Sequence, residues 1–503
     1  MKSHILTILM AVLLSIPALA QRSAKREFRG AWIHTVHQGH YMDMDEQTMK
    51  AYFIDLLDKL KAANTNAVLF QMRPAADAFY LSKLEPVSRY LTGEQGTWHK
   101  TPWDPAQFVL EECHKRNMEF HAWLNPYRVT TSPKDKLHPD HIYYKHPSWF
   151  LSYGGQIYFD PGQPQCRKFF RQVVLDIATR YDVDAIHMDD YFYPYPKEEE
   201  FPDEASFLTY HKKQGFTADQ REDWRRNNVD ILIKSIHEDL AKAKPWVRFG
   251  ISPFGIYRNK KSWEGGSNTN GLENYDGLFA DVLLWTEQGW IDYLIPQLYW
   301  QIGHKAADYT TLANWWNEYH NDIPLYIGQS ITRSLDDKQN SFLMTHEHLT
   351  EKMKISRELP NVEGNCWWAG YQLVKNENDF HEVLSKEFQR EIALIPAYTH
   401  IDPIAPKHTT RPKACWTTEG YELQWKAMHD ENPMQDAYYY CVYRFPKGVK
   451  KDFENPAYLV ATTKENSYLL PYTKSGEKYS YYVTVVDRMH NESKPSKRQR
   501  VKL

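Results

Sequence analysis

Between Phe28 and Gly370 the chain repeats one pattern eight times: a short run rich in β-branched, aromatic and other strand-forming residues, then a longer amphipathic stretch. The runs cover residues 28–36, 66–73, 119–128, 185–193, 247–258, 291–300, 324–331 and 364–370. Between them, apolar residues spaced three or four apart predict helices over 46–63, 105–116, 167–181, 223–243, 275–289 and 346–359. Strands interleaved with helices across residues 26–395 predict an α/β fold, a (β/α)8 TIM barrel with long loop insertions. An open doubly wound sheet is the alternative, but no GxGxxG or other Gly-rich phosphate loop follows the first run.

Past Ile395 the texture changes. Pro396, Pro403, Pro406 and Pro412 punctuate a stretch without periodicity, read as a linker over 396–411. Residues 412–503 then alternate apolar and polar side chains at period two, which predicts a C-terminal all-β sandwich. That tail resembles a fibronectin type III domain, with Trp425 in its core, Tyr479 as its corner tyrosine, and a role in packing against or orienting the barrel. At the other end, Lys2, the uncharged run 5–14, Pro17 and Ala18-Leu19-Ala20 read as a signal peptide over residues 1–20. The run is shorter than the ~20 apolar residues that span a bilayer, and no later segment is long and apolar enough. No Cys follows the small residues, as the lipoprotein form of the signal would require. The expectation is a soluble, exported protein, periplasmic or secreted. Cys113, Cys166, Cys366, Cys415 and Cys441 are too few and scattered for a disulfide framework; buried thiols are the reading, with a Cys415–Cys441 pair left open. Lys and Arg number 61 against 64 Asp and Glu, so no basic excess points to nucleic acid.

In a TIM barrel, chemistry sits at the C-terminal strand ends. There the fourth run carries His187-Met188-Asp189-Asp190-Tyr191. Alternation puts His187, Asp189 and Tyr191 on one face and Asp190 on the other, so Asp189 is the expected in-pocket carboxylate. Asp190 would hold the loop in shape, unless the strand ends at Asp189 and the turn rotates it inward. A glycosidase needs two carboxylates flanking the bond, and the preferred second acid is Glu85, in the loop after the second run. Asp77 in the same loop, and Glu264 and Asp276 after the fifth run, are the other candidates; a salt bridge to Arg73 suits Asp77 at least as well. The 73 aromatic residues exceed what a core of this size needs, and many fall at strand ends. Trp and Tyr offer sugars a flat apolar face with a polar tip, while hydroxyls seek amide, carboxylate and guanidinium groups. The expected substrate-binding set is therefore Trp32, His34, Arg73, Asp77, Asn125, Tyr127, Arg128, His187, Tyr191, Gln297, Tyr299, Trp300 and Trp367, with Tyr193 and Trp368 as further aromatic candidates. No metal or cofactor is expected. His34, His37 and His40 are spaced by three on a strand end and loop, unlike a helix-borne zinc pair, and neither HExxH nor GxSxG occurs.

Several of these stretches resemble one known family. Residues 28–33, Gln71-Met72-Arg73-Pro74 with Asp77-Ala78-Phe79-Tyr80, residues 121–128, the 186–194 motif, Gly255-Ile256-Tyr257-Arg258 and residues 289–300 look, in chain order, like glycosyl-hydrolase-like family 10. The resemblance implies a TIM-barrel hydrolase, often exported and often followed by a fibronectin-like domain, in a family that includes a divisome-localised member cutting peptidoglycan glycan strands. It implies peptidoglycan or a related cell-wall or dietary glycan as substrate and an association with the cell envelope, and it carries the acid pair onto Asp189 and Asp190. Chitinase-like barrels place their acid two residues beyond the equivalent Asp, where this chain has Tyr191, so their chemistry does not transfer directly. The expected activity is glycoside hydrolysis by carboxylates; the alternative is a glycan-binding protein on a barrel without turnover.

Overall fold

The computed structural model describes residues 24–98, 100–334, 341–472 and 476–503; the expected signal peptide lies outside them. Eight parallel strands close into a barrel: β1 (Phe28–Ile33), β2 (Ala67–Arg73), β3 (Glu119–Leu124), β4 (Ala185–Met188), β5 (Arg248–Ile251), β6 (Tyr293–Leu294), β7 (Leu325–Ser330) and β8 (Val362–Trp368). Each strand pairs with its sequence neighbours, and β8 closes on β1 with Gly30 opposite Cys366 and Ala31 opposite Trp367. The connecting helices begin where capping chemistry says they should. Asp45 accepts the Thr48 N–H ahead of Glu46–Ala62, and Asp104 accepts the Gln107 N–H ahead of Pro105–Lys115, with proline in its first turn.

Two helical expectations need correction. The stretch expected as one helix over 275–289 is two short ones, Asn274–Gly277 and Val282–Glu287, because Phe279 between them takes a φ of 52° that no right-handed helix accommodates. A helix over Tyr309–Glu318, capped by Asp308, was not anticipated.

Strand alternation separates two apolar layers. Phe28, Trp32, Leu69, Trp123, Tyr293, Tyr326 and Cys366 fill the barrel interior, while Ile33, Phe70, Phe120, Ile186 and Trp367 face the helices. Gly250 on β5 makes room inside, since a Cβ there would lie 2.0 Å from the Tyr293 ring. A polar column runs up this interior. The Tyr293 hydroxyl lies 2.8 Å from His121 Nδ1 and 3.2 Å from His187 Nδ1, and His121 Nε2 lies 2.9 Å from Glu119 at the bottom.

The C-terminal region forms two antiparallel sheets. Three strands, β9 (Lys413–Trp416), β10 (Tyr421–Gln424) and β13 (Ser467–Leu469), face four, in the order β12 (Leu459–Thr463), β11 (Tyr439–Pro446), β14 (Lys478–Val486) and β15 (Gln499–Lys502). Leu423, Trp425, Tyr440, Val442 and Val483 pack between them. Tyr479 does not behave as a corner tyrosine: its hydroxyl donates to the Glu477 carboxylate rather than to upstream backbone. All five cysteines are free, and four of them are buried.

The second sheet docks on the N-terminal end of the barrel. Tyr438 donates its hydroxyl to Asp184 just before β4, His490 Nε2 reaches Glu119 at 2.6 Å, and Asn117 donates to the Thr462 carbonyl at 2.7 Å. Glu119 also pairs with Arg248; burial opposes its charge, but Arg248 and then His490 hold its carboxyl well below the ordinary range. The proline-punctuated connection takes part, because Tyr398 is fully buried under the barrel with Arg248 against its ring at 4.5 Å. The β-sheet region thus braces one end of the barrel and leaves the strand C-termini open. Among the described residues, no helix is long and apolar enough to cross a membrane.

Candidate active site

At the open end the strand termini surround a cleft of about 420 Å³. Trp32 comes from β1 and His34 follows its last residue, Gln71 comes from β2, and Trp123 and Arg128 from β3 and its loop. Asp189, Asp190, Tyr191 and Tyr195 follow β4, Ser252 and Phe254 follow β5, Gln297, Tyr299 and Trp300 follow β6, and Trp368 ends β8.

Both aspartates face this cleft. Pairing of β4 with β5 stops at Met188 opposite Ile251, so Asp189 and Asp190 lie in the turn beyond the ladder and strict alternation no longer applies. Asp190 therefore turns inward, the outcome the sequence left open. Asp189 accepts the Asn125 side-chain amide on both oxygens, at 2.8 and 2.7 Å, and the Tyr191 backbone N–H at 3.2 Å. The orientation of Asn125 is fixed from behind, since its carbonyl oxygen accepts from Gln71 at 2.7 Å and so its NH2 must face the carboxylate. Gln71 is in turn held by the Thr35 and Val36 backbone N–H groups, each at 2.9 Å. Asp190 accepts the Tyr195 hydroxyl on one oxygen and the Gln297 amide at 3.2 Å on the other.

The two carboxyls are buried, at 5 and 2 % exposure, and burial raises both above the ordinary range. The Arg128 charge and the Asn125 bond partly offset this at Asp189. At Asp190 the negative charge of Asp189 adds to burial, and the carboxyl is pushed up to about 7. The pair therefore retains a proton toward neutrality, with Asp190 as its main seat. His34 stacks on Trp368 at 4.5 Å, and burial followed by the charges of His37 and His40 pushes its imidazole down to about 3, so it is neutral.

The sequence-based candidates divide by strand geometry. Trp32, His34, Arg128, Asp189, Asp190, Tyr191, Gln297, Tyr299 and Trp300 line the cleft. Asn125 lies directly behind Asp189. His187 sits lower in the barrel, between Tyr293 and Ser252. Trp367 points outward onto Phe380, and its neighbour Trp368 takes the cleft position. Tyr127 and Tyr193 pack in the outer core. Arg73 is turned away by a register shift in β2 between Gln71 and itself, and lies over the Phe170 ring at 5.1 Å. Glu85 does not reach the cleft: it clasps Arg73 through both oxygens, at 2.7 and 2.5 Å, and is fully committed there. Asp77 accepts the Arg89 N–H and the Gln95 amide instead of pairing with Arg73. Glu85, Arg73, Asp77, Tyr127 and Trp367 thus belong to the scaffold. Gln71, Trp123, Tyr195, Ser252 and Phe254 are cleft residues outside the expected set. Inward parity marks the first two, whereas Tyr195 lies in a loop where parity carries no information.

A closed (β/α)8 barrel with a buried carboxylate pair and tryptophans at its strand C-termini is the framework of a glycoside hydrolase. The chain belongs to the glycosyl hydrolase-like 10 family, whose model matches residues 27–341, and it is a glycoside hydrolase. It is 40 % identical to glycosyl hydrolase YngK of Bacillus subtilis over 495 residues, covering 96 % of this chain and 95 % of that one. It is 35 % identical to glycosyl hydrolase DigH of Escherichia coli K12 over 320 residues, covering 60 % of this chain and 71 % of that one. Among solved structures, the PgaB (BpsB) glycoside hydrolase domain from Bordetella bronchiseptica aligns with a TM-score of 0.49 at 10 % identity, over 72 % of this chain and 99 % of that one.

Proposed function

We propose that this hydrolase is exported and cuts the glycan strands of peptidoglycan or a closely related envelope glycan, with Asp190 as general acid and Asp189 as the carboxylate beside the anomeric carbon. The observation that carries the reading is the unequal pair. Asp190, pushed up to about 7, can give its proton to the leaving oxygen, while Asp189, where Arg128 and Asn125 offset part of the effect of burial, carries the charge that stabilises the oxocarbenium-like centre. Trp32, Trp300 and Trp368 supply apolar faces for sugar rings, and Gln297, Arg128 and Tyr299 supply polar partners for hydroxyls. Export rests on the leader-like residues 1–20, and the envelope substrate on the motifs shared with the family. The C-terminal sheets, as a fibronectin type III-like sandwich, serve to brace the barrel.

The purified chain should release fragments from peptide-stripped glycan strands, identified by mass spectrometry, and not from a panel of plant and storage polysaccharides. Asp189→Asn and Asp190→Asn should each lower release by about 10²–10⁴-fold. Undiminished release by either variant would refute the assignment, and preference for another polysaccharide would refute the substrate.

A further inference from the structure

The two carboxylates are consecutive residues in one turn, and that placement limits how they can divide the work. A retaining glycosidase with a protein nucleophile needs its two carboxyls roughly 5–5.5 Å apart on opposite sides of the sugar, and an inverting one needs roughly 6.5–9.5 Å to admit a water. Neighbours on the chain approach a sugar from the same wall. No third carboxylate lines the cleft among the described residues, because Glu85 is bound to Arg73 and neither Glu264 nor Asp276 reaches the cleft. The attacking group must come from somewhere other than a facing carboxylate.

We propose that the nucleophile is the substrate's own 2-acetamido group, so that the enzyme acts on 1,2-trans (β) glycosides of N-acetylated 2-amino sugars and retains their configuration. This rests on the assignment of Asp189 and Asp190 as the reacting pair. In the first step Asp190 gives its proton to the glycosidic oxygen and the bond from that oxygen to C1 breaks. The acetamido carbonyl oxygen forms a bond to C1 from the opposite face, giving an oxazolinium ion, while Asp189 accepts the amide N–H and balances its positive charge. In the second step a water attacks C1, the ionised Asp190 takes the water's proton, and the C1–oxazoline oxygen bond breaks to restore the acetamide. Atoms and charge balance without an added reactant.

Three features suit the two carboxylates to these separate duties. Asn125 and the Tyr191 N–H hold Asp189 in one orientation, as a group that accepts a single N–H must be held. Trp123 and Trp368, whose rings meet edge to face at 5.9 Å, form an aromatic corner of the cleft that can take the acetyl methyl. Asp190 has separate partners in Tyr195 and Gln297, so its orientation does not depend on the contacts that hold Asp189.

Three measurements decide the matter. The thiazoline analogue of N-acetylglucosamine, titrated by calorimetry, should bind the wild-type chain and bind Asp189→Asn about tenfold or more weakly; no binding to the wild type overturns the proposal without any need for turnover. Removing the N-acetyl groups from peptide-stripped strands should lower kcat by about 10³-fold or more, because an intramolecular nucleophile is lost; equal cleavage of both forms overturns it. A 2-deoxy-2-fluoro glycoside with a good leaving group should label no residue, and a fluorosugar attached to any carboxylate peptide overturns it. Hydrolysis of acetamido glycans with inverted configuration would leave the proposed function standing and refute this inference alone. Thiazoline binding together with cleavage of a non-peptidoglycan acetamido glycan would do the reverse.

Discussion

Replacing Asp190 with Asn should lower turnover by about 10²–10⁴-fold and stabilise the fold at the same time, the second effect appearing only as the pH rises. The Asp190 carboxyl is pushed up to about 7 by burial and then by the Asp189 charge, from an ordinary value of 3.8. A raised folded-state value means that the folded chain keeps a proton the unfolded chain releases from about pH 4 upward. Stability from this group is therefore greatest in acid and declines as pH climbs from about 4 to about 7. A separation of about 3 units, at about 1.4 kcal/mol each, puts the cost of ionisation by pH 8 at no more than about 4 kcal/mol. Sharing of the proton with Asp189 lowers that share, so a gain of about 2–4 kcal/mol is expected for the variant.

Asparagine can still accept from Gln297 on its carbonyl oxygen, while its NH2 meets the Tyr195 oxygen and turns that hydroxyl from donor to acceptor. Scanning calorimetry reads the difference. With an unfolding entropy of about 2 cal/mol/K per residue over the whole chain, the gain at pH 8 corresponds to roughly 2–4 °C in Tm. At pH 4.5 the two proteins should melt within about a degree of each other. An equal Tm difference at both pH values, or a variant less stable than wild type at pH 8, would show that Asp190 is not held protonated. The same proton governs rate: wild-type kcat/KM should fall as pH rises through about 7, and the variant should lack that limb.

The other expectations concern groups around the pair. Glu85→Gln leaves Arg73 buried without its counter-charge and should cost about 3–5 kcal/mol in the urea midpoint, with kcat of the folded enzyme within about twofold of wild type; a 10²-fold loss of kcat at unchanged stability would restore Glu85 to the chemistry. Asn125→Ala removes both amide bonds to Asp189, so the Asp189 carboxyl should rise further and the acidic limb of kcat/KM should move up by about one pH unit, and an unmoved limb would remove Asn125 from its positioning role. Trp300→Ala takes away a ring packed edge-on against Phe254 at 5.3 Å; KM should rise about 3–10-fold with kcat nearly constant, and a matching fall in kcat would argue for a part in the transition state.

The barrel was legible because a period-two run followed by a period-3.6 run, repeated eight times, has few other folded solutions. Parity inside those runs was legible too where hydrogen bonding continues. Phe28, Gly30, Trp32 and His34 follow one alternation on β1, and on β8 the inward Cys366 entails an inward Trp368 and an outward Trp367. The errors fall where the ladder is interrupted. A register shift within β2 reverses Arg73, and Pro296, which has no N–H to give, ends regular pairing soon after the two residues of β6. The helix over Tyr309–Glu318 was readable from its Asp308 cap and its apolar positions 309, 312, 313 and 316, but it follows an irregular strand end.

The acid pair shows what alternation can and cannot encode. On a continuing strand two consecutive aspartates must point to opposite faces, which made Asp190 a scaffold residue and sent the search for a second acid to Glu85. Consecutive residues share a cleft only where the strand has stopped, and β4 pairs no further than Met188. Where it stops depends on whether β5 still offers a partner: the Ser252 N–H reaches the Met188 carbonyl at 2.8 Å, but the next N–H on that side, from Phe254, goes to the Asn274 side chain at 3.1 Å. The fate of Asp190 was therefore written in the neighbouring run and the loop after it, more than 60 residues on in sequence, where Asn274 takes the N–H that would have carried the β4 pairing past Met188. An Asp-Asp step at a barrel strand end is a pattern from which both carboxylates can be read into one cleft where the next strand's N–H groups are committed elsewhere.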